Sequence, residues 1–335
     1  MKEKNEPLEI TLEQLKHSLI VHNNEYRYIN PDFGIVISSS KLESNLVKAG
    51  QPYRAKEGRI IRSLHGKARI SVNLIEYDID PQMIIVTPPD SIIQIINFSP
   101  DYDFQMIATN SSFLPIPHKE DLADSYMQQG IVIKPTDEEW DEISMYFSLI
   151  WKTVQEPVFR REVVLHLLTA LLYNIRYIQR KLRNSTGQAP SHQEELFRRF
   201  IALVNEYSKE KRTVGFYADK LCLTPRYLNT VIHQVSHHTV MDWINQAVIL
   251  EAQVLLKHSD LLIYQIADQL NFPNPSFFCK FFKRKTGMTP QEYLKKYALP
   301  YLTTQIISRI LCQSKVKLYL CSRYYELVAL IQIIN

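Results

Sequence analysis

The pattern of apolar and polar residues changes once along the chain, near residue 136. Before that point, short runs rich in Ile and Val alternate apolar with polar positions, which is typical of strands with one buried face. The runs are Phe33–Ile37, Arg69–Tyr77, Gln82–Val86 and Ile92–Phe98. Turn residues such as His65-Gly66 and Pro88-Pro89-Asp90 separate them. This pattern predicts a small β-barrel or sandwich within residues 1–135.

From Thr136 the apolar residues follow a helical period. Acidic residues Asp137 to Glu139 favour a helix start, and the apolar positions that follow are spaced three and four apart. One seam comprises Ile143, Phe147, Ile150 and Val154, and the next comprises Val164, Leu168, Leu171, Ile175, Ile178 and Leu182. Two compatible interpretations follow for residues 136–183. The helices pack on each other and on the strands, or the longer one also meets its copy in a homodimer.

A polar segment without periodicity, residues 184–193, reads as a linker to a helical region over residues 194–297. That region repeats one pattern after about 49 residues. The first copy contains Ala218, Leu221, Leu223, Thr224, Pro225, Arg226, Tyr227, Leu228, Val231 and Ile232. The second contains Ala267, Leu270, Phe272, Asn274, Pro275, Ser276, Phe277, Phe278, Phe281 and Phe282. Trp243 and Tyr293 close the two copies, and each copy predicts a short helix, a tight turn and a second helix.

The second helix of each copy has a recognisable start. Thr224 and Asn274 can cap the helices, and a proline follows each of them at the first helical position. The apolar residues Tyr227, Leu228, Val231 and Ile232 are expected to face the core. The residues predicted to face outward are Arg226, Asn229, Thr230 and His233 in the first copy, and Ser276, Cys279, Lys280 and Lys283 in the second. Such side chains can contact base edges and phosphates in a major groove.

The charge distribution agrees with that prediction. Residues 194–297 contain 14 Lys/Arg and 10 Asp/Glu, whereas residues 1–193 contain 21 and 24. The positive excess therefore lies on the duplicated segment, as phosphate binding requires.

The second copy and the residues after it resemble the C-terminal signature of AraC/XylS-type transcription regulators. The matching residues are Ile263, Ile266, Ala267, Leu270, Phe272, Ser276, Phe278, Phe282, Lys283, Thr286, Gly287, Met288, Thr289, Pro290 and Tyr293. The resemblance implies an α+β fold: an N-terminal cupin-like β-barrel with a helical dimerisation segment, and a C-terminal all-α domain with two helix-turn-helix motifs. The implied domains are 1–135 for effector binding, 136–183 for dimerisation, 184–193 as linker and 194–297 for DNA binding.

The resemblance also implies roles for individual residues and partners. Arg226, Asn229 and Thr230 match base-facing positions of the first recognition helix, and Ser276, Cys279 and Lys280 match those of the second. Lys283 and Arg284 are expected to hold phosphate. The implied partners are double-stranded promoter or operator DNA, a small-molecule effector, a second copy of the chain and RNA polymerase. Two departures, His237 in place of a glycine and Val248 in place of an arginine, predict that the first motif ends differently and makes fewer backbone contacts.

The sequence contains no residue pattern typical of a catalytic site or a metal site. His65 and His118 are isolated, no H-x-H pair exists, and the four cysteines form no C-x-x-C pair. No phosphate loop or supported nucleophile arrangement is present. We therefore expect no enzyme activity, no cofactor and no metal. Two alternatives remain: a cupin-type enzyme with a helical appendage, and an interaction module that has lost DNA binding.

Three further expectations concern the pocket, the location and the C-terminal end. Tyr53, Arg54, His65 and Tyr77 are candidate polar contacts of a barrel pocket, and a structural role is the favoured alternative for each. The charged N-terminus and the lack of 18 consecutive apolar residues predict a cytoplasmic protein without a membrane span. Residues 298–335 form an apolar tail of unknown role, which is either an extra helix packed on the DNA-binding domain or an unselected addition.

Overall fold

The computed structural model describes residues 24–40, 49–110, 113, 130–185, 191–259 and 261–296. The expected tail, 298–335, lies outside these residues, as do His118, Cys312, Cys321 and residues 186–190 of the expected linker.

The described strands form two antiparallel sheets. They are β1 (Arg27–Ile29), β2 (Phe33–Val36), β3 (Pro52–Ala55), β4 (Gly58–His65), β5 (Ala68–Val72), β6 (Ile75–Ile79), β7 (Ile84–Thr87), β8 (Ser91–Phe98), β9 (Asp103–Thr109) and β10 (Ile131–Ile133). One sheet has the order β1-β2-β9-β4-β7-β10 and the other β3-β8-β5-β6. The expected barrel is thus not closed among the described residues. Instead Ile70, Val72 and Ile79 of one sheet share an apolar cluster with Ile85 of the other.

The run Arg69–Tyr77, predicted as one strand, is a hairpin. Asn73 and Leu74 have φ angles of 47° and 78°, and they join β5 to β6. A leucine at positive φ is unusual, and its apolar side chain continues the alternating pattern, which is why the sequence conceals the turn. Leu74 is 2% exposed because it packs among the helices of the C-terminal region. Its burial offsets the strain of the turn.

Two helices cover one face of the six-stranded sheet: α1 (Asp137–Val154) and α2 (Arg161–Ser185). As predicted, α1 begins at the acidic residues Asp137 to Glu139. Thr136 caps it and forms a capping box with Glu139. Both predicted seams lie in the apolar cluster that the helices share with the sheet, and only Leu182 is partly buried. The seam residues therefore pack within the chain.

The remaining helices carry the duplicated pattern. They are α3 (His192–Tyr207), α4 (Val214–Lys220), α5 (Pro225–Ser236), α6 (Val240–His258), α7 (Ile263–Gln269) and α8 (Pro275–Thr286), and residues 290–296 are also helical. Because α2 ends at Ser185 and α3 begins at His192, the expected linker overlaps the ends of two helices. The chain divides into two compact units between Phe278 and Cys279, inside α8.

Candidate nucleic-acid interface

Each copy of the duplicated pattern folds as two helices joined by the same turn. In the first copy Cys222 takes the left-handed conformation, with φ 57°, and the N–H of Leu223 donates to the carbonyl of Ala218 at 2.9 Å. In the second copy Asn271 has φ 53°, and the N–H of Phe272 donates to the carbonyl of Ala267 at 2.9 Å. The left-handed residue forms the turn between α4 and α5 in the first copy and between α7 and α8 in the second.

The predicted helix starts are confirmed. The Thr224 hydroxyl accepts from the N–H of Tyr227 at 3.2 Å, and the Asn274 side-chain oxygen accepts from the N–H of Phe277 at 3.1 Å. Each cap satisfies an amide that the helix itself leaves without a partner. The two second helices therefore begin at equivalent positions.

Small and apolar residues fix the face that each motif buries. Ala218 and Ala267 are both buried. Leu228 and Val231 are buried as predicted. Tyr227, however, is 44% exposed, so its predicted place in the core is wrong. Helical spacing puts Tyr227 at the border of the buried face of α5, where its ring remains partly exposed to solvent.

Most of the predicted contact residues are exposed. Arg226, Thr230 and His233 on α5 are exposed, as are Ser276, Lys280, Lys283 and Arg284 on α8. Cys279 is half-buried, and this burial raises the pKa of its thiol above the ordinary value. Its thiol is therefore kept neutral rather than reactive.

Two of the predicted contact residues use their side chains inside the chain: the Thr230 hydroxyl donates to the carbonyl of Arg226 at 3.0 Å, and the Asn229 amide makes two hydrogen bonds. Its Nδ2 donates to the carbonyl of Pro225 at 3.2 Å, and its Oδ1 accepts from the N–H of Val240 at 3.4 Å. The side chain thus ties α5 to the start of α6. Reading adenine with the same amide would require these bonds to open.

The first recognition helix ends in the same way as the second, contrary to the expectation drawn from His237. His237 takes the left-handed conformation, with φ 58°, and its N–H donates to the carbonyl of His233 at 2.9 Å. Gly287 has φ 80°, and its N–H donates to the carbonyl of Lys283 at 2.9 Å. Histidine can adopt this conformation at some energetic cost, so the loss of the glycine leaves the helix end intact.

The closing aromatics hold the segments that follow the recognition helices. Trp243 Nε1 donates to the Ser236 hydroxyl at 2.9 Å. The Phe282 and Tyr293 rings meet edge to face, with centroids 5.5 Å apart. These contacts position the helices after each motif.

The linking helix α6 contacts the strands as well as the first motif. Its 19 residues span roughly 28 Å at ~1.5 Å each. Glu251 on α6 is buried and forms an ion pair with Arg54 of β3, and Lys209 Nζ lies 2.7 Å from its other oxygen. Arg54 also donates to the carbonyl of Asp90 at 2.7 Å. Arg54, expected in a pocket, therefore faces α6.

Val248, the second departure from the family pattern, is fully buried on the same linking helix. An apolar side chain suits this environment, whereas a charged one would have to be desolvated there.

Sequence reasoning missed Arg212, which connects the two motifs. Its guanidinium lies 3.9 Å from the centroid of the Phe272 ring and donates to the carbonyl of Leu270. Arg212 precedes α4, whereas Leu270 and Phe272 form the turn of the second motif. The pairing spans 58 residues, so no local sequence pattern indicates it.

None of the described helices is both long and apolar enough to cross a bilayer. No group of three or more His, Cys, Asp or Glu side chains in the described ranges could hold a metal ion.

Comparison with known proteins places residues 217–296 in a family described as "Helix-turn-helix domain". The chain is 28% identical over 132 residues to the HTH-type transcriptional activator RhaR of Escherichia coli K12, covering 39% of this chain and 45% of RhaR. The chain thus spans less than half the length of this curated relative.

Solved structures with similarity to the chain include two of bacterial origin. The C-terminal domain of the two-component response regulator yesN from Fusobacterium nucleatum is 26% identical, with a TM-score of 0.29, over 31% of this chain and 99% of that one. ToxT from Vibrio cholerae is 13% identical, with a TM-score of 0.37, over 80% of this chain and 98% of that one. The helix-turn-helix match over residues 217–296 and the similarity to RhaR agree with the resemblance of the second motif to the AraC/XylS signature.

Proposed function

We propose that the protein is a sequence-specific DNA-binding transcription regulator, in which residues 194–297 bind promoter or operator DNA. The observation that carries the proposal is the pair of capped helices α5 and α8, each of which presents exposed polar and basic side chains. In helix-turn-helix proteins the N-terminal residues of such a helix contact base edges in the major groove. A linking helix of roughly 28 Å is comparable to the ~34 Å repeat of successive major grooves.

The exposed residues divide into base readers and phosphate contacts. Arg226 and Lys280 suit the two acceptors of guanine, and Ser276 can reach either kind of base edge. Lys283 and Arg284, in the last turn of α8, suit phosphate. Thr230 and His233 complete the proposed surface of α5. Cys279 contributes less because it is half-buried, and Asn229 contributes less because its amide makes hydrogen bonds inside the chain.

Binding to a selected operator and to random DNA at several salt concentrations tests this division. Arg226→Ala should cost roughly 1–3 kcal/mol on the operator and relax preference at one base pair. Lys283→Ala should weaken both DNAs alike and reduce the salt slope by about one. Lys152→Ala, an exposed lysine on α1, is the matched control and should change neither. A protein without operator affinity at low salt would refute the proposed function.

We further propose that residues 1–135 bind a small-molecule effector between the two sheets. Arg59 is 7% exposed and donates to the Tyr53 hydroxyl at 3.1 Å. Among the described residues, its Nε and the hydroxyl of Thr87, its neighbour in β7, have no hydrogen-bond partner. Buried polar atoms without partners favour an additional acceptor, such as a carboxylate or hydroxyl oxygen of a ligand.

A thermal-shift screen of small acids and sugars tests this effector proposal. Arg59→Met should abolish any shift, whereas Arg69→Met, at an exposed arginine, should retain it. Metal analysis of the purified protein separates the rival enzyme function, because stoichiometric iron, zinc or manganese would favour a cupin-type catalyst over a regulator.

Dimerisation through residues 136–183 is also proposed, on a face other than the predicted seam. Five exposed residues of α2 follow a spacing of three and four: Val163, His166, Ala170, Tyr173 and Tyr177. Tyr177 is 66% exposed, and such a stripe suits a second helix. Tyr177→Glu should shift sedimentation toward the monomer, whereas Phe98→Glu, at an exposed ring on β8, should not.

A further inference from the structure

One exposed aromatic ring occupies the same position in both recognition helices. Tyr227 and Phe277 are each the third residue of their helix, and each donates its backbone N–H to the capping side chain. Tyr227 is 44% exposed and Phe277 is 60% exposed. The residue after each of them, Leu228 and Phe278, is fully buried.

Packing leaves both rings largely uncovered. Tyr227 lies outside the apolar cluster of the first motif, and Phe277 is the more exposed of the two rings. A single exposed apolar residue is ordinary in any protein. Its occurrence at matching positions of two helices, beside the base-facing Arg226 and Ser276, instead indicates a shared partner.

The chemistry of the Phe277 side chain limits which group of the DNA it can contact. Phenylalanine has no polar side-chain atom, so it cannot hydrogen-bond to a phosphate or a base edge. Bases within a duplex are stacked on each other and do not offer their faces to a helix in the groove. The apolar group that the major groove does present is the C5-methyl of thymine.

We propose that Tyr227 and Phe277 are specificity-determining residues, each of which covers a thymine methyl in the major groove entered by its own helix. The proposal rests on the proposed DNA-binding function. It adds a preference for thymine in each half of the operator, alongside the hydrogen-bonding readers.

Replacement of thymine by deoxyuridine tests the proposal because it removes only the methyl group. An operator is first obtained by selection from random DNA, and each thymine is then replaced singly. The wild-type chain should lose affinity about four-fold at one thymine in each half-site, which corresponds to about 0.8 kcal/mol for one buried methyl-sized group.

Substitution of the rings should remove this sensitivity. Phe277→Ala should bind the thymine operator more weakly and lose nothing further on deoxyuridine in its half-site, while the other half-site keeps its sensitivity. Tyr227→Ala should show the reverse, and Tyr227→Phe should keep the methyl effect. Tyr264→Ala is the matched control, because Tyr264 is 57% exposed on α7, outside the recognition helices, and this variant should keep both effects.

The outcomes separate the two proposals. Failure to select any operator would refute the DNA-binding function itself. Selection of an operator whose deoxyuridine forms bind the wild-type chain equally well would refute the methyl contact alone. Persistence of the methyl effect in Phe277→Ala and Tyr227→Ala would likewise refute it, and would favour an exposed protein-docking role for the rings. Unchanged circular-dichroism melting of the variants, expected for exposed rings, confirms that folding is intact.

Discussion

Neutralising Glu251 tests the contact that ties the linking helix α6 to the strands. The Glu251 side chain is 6% exposed, and one of its oxygens contacts Arg54 while the other contacts Lys209. The Arg54 side chain is 17% exposed and the Lys209 side chain is 40% exposed. In Glu251→Gln the charge of Lys209 can be solvated by water. Arg54 keeps its bond to the Asp90 carbonyl but remains largely buried without a counter-ion.

The expected decrease in the free energy of unfolding follows from the different exposure of Arg54 and Lys209. Removing one partner of a buried pair typically costs about 3–5 kcal/mol, because the other charge is left desolvated. Since Arg54 retains one hydrogen bond and some access to water, we expect the lower end, about 3 kcal/mol. The exposed Lys209 should add little, as surface pairs contribute ~1 kcal/mol or less.

Urea unfolding of a double-mutant cycle measures the interaction directly. The cycle combines Arg54→Met with Glu251→Gln and should give a coupling energy of about 2 kcal/mol. The matched control is the cycle of Arg69→Met with Glu76→Gln. That pair has an N–O distance of 2.9 Å, but its side chains are 50% and 46% exposed. Its coupling should be about 0.5 kcal/mol.

Equal coupling energies in the two cycles would refute the reasoning, because burial of the carboxylate is the difference on which it depends. A loss in Glu251→Gln that persists undiminished in the Arg54→Met background would likewise show that Arg54 is not its main partner.

Three further predictions concern the helices. Thr224→Ala should lower the free energy of unfolding by about 1 kcal/mol through loss of the cap on α5, and Thr224→Ser should restore it in the same urea assay. His237→Gly should raise it by about 0.5–1 kcal/mol, because glycine removes the left-handed strain but adds unfolded-state entropy; a loss would contradict the proposed strain. The hydrogen bond from Lys181 lowers the pKa of Glu139, so its stabilisation is present at neutral pH and is lost as the pH falls through that lowered pKa. The difference in thermal midpoint between wild type and Glu139→Gln should therefore close in acid, and a constant difference would refute the linkage.

The sequence predicts the features that depend on neighbours in the chain. Thr224 and Asn274 cap their helices as expected, because a cap needs only residues three positions apart. The apolar seam of α1 is buried as expected, because its spacing matches the helical period.

The sequence did not predict two turns in which a residue other than glycine takes the left-handed conformation. Leu74 hides a hairpin because its apolar side chain continues the strand pattern, and the helices that bury it come more than a hundred residues later. At His237 the sequence gives no sign of a left-handed helix end, because histidine does not favour this conformation and the tertiary fold imposes it.

The sequence alone thus determined the duplicated motif, its helix starts and most of its exposed polar face, since all of these follow from local hydrogen bonding and helical periodicity. Only the tertiary structure decided that Tyr227 is exposed, that Asn229 is engaged and that Arg54 pairs with Glu251, 197 residues away. These outcomes depend on which surfaces meet when distant segments pack. The energy of such a contact depends on the burial that both partners share, and this burial cannot be read from either segment by itself.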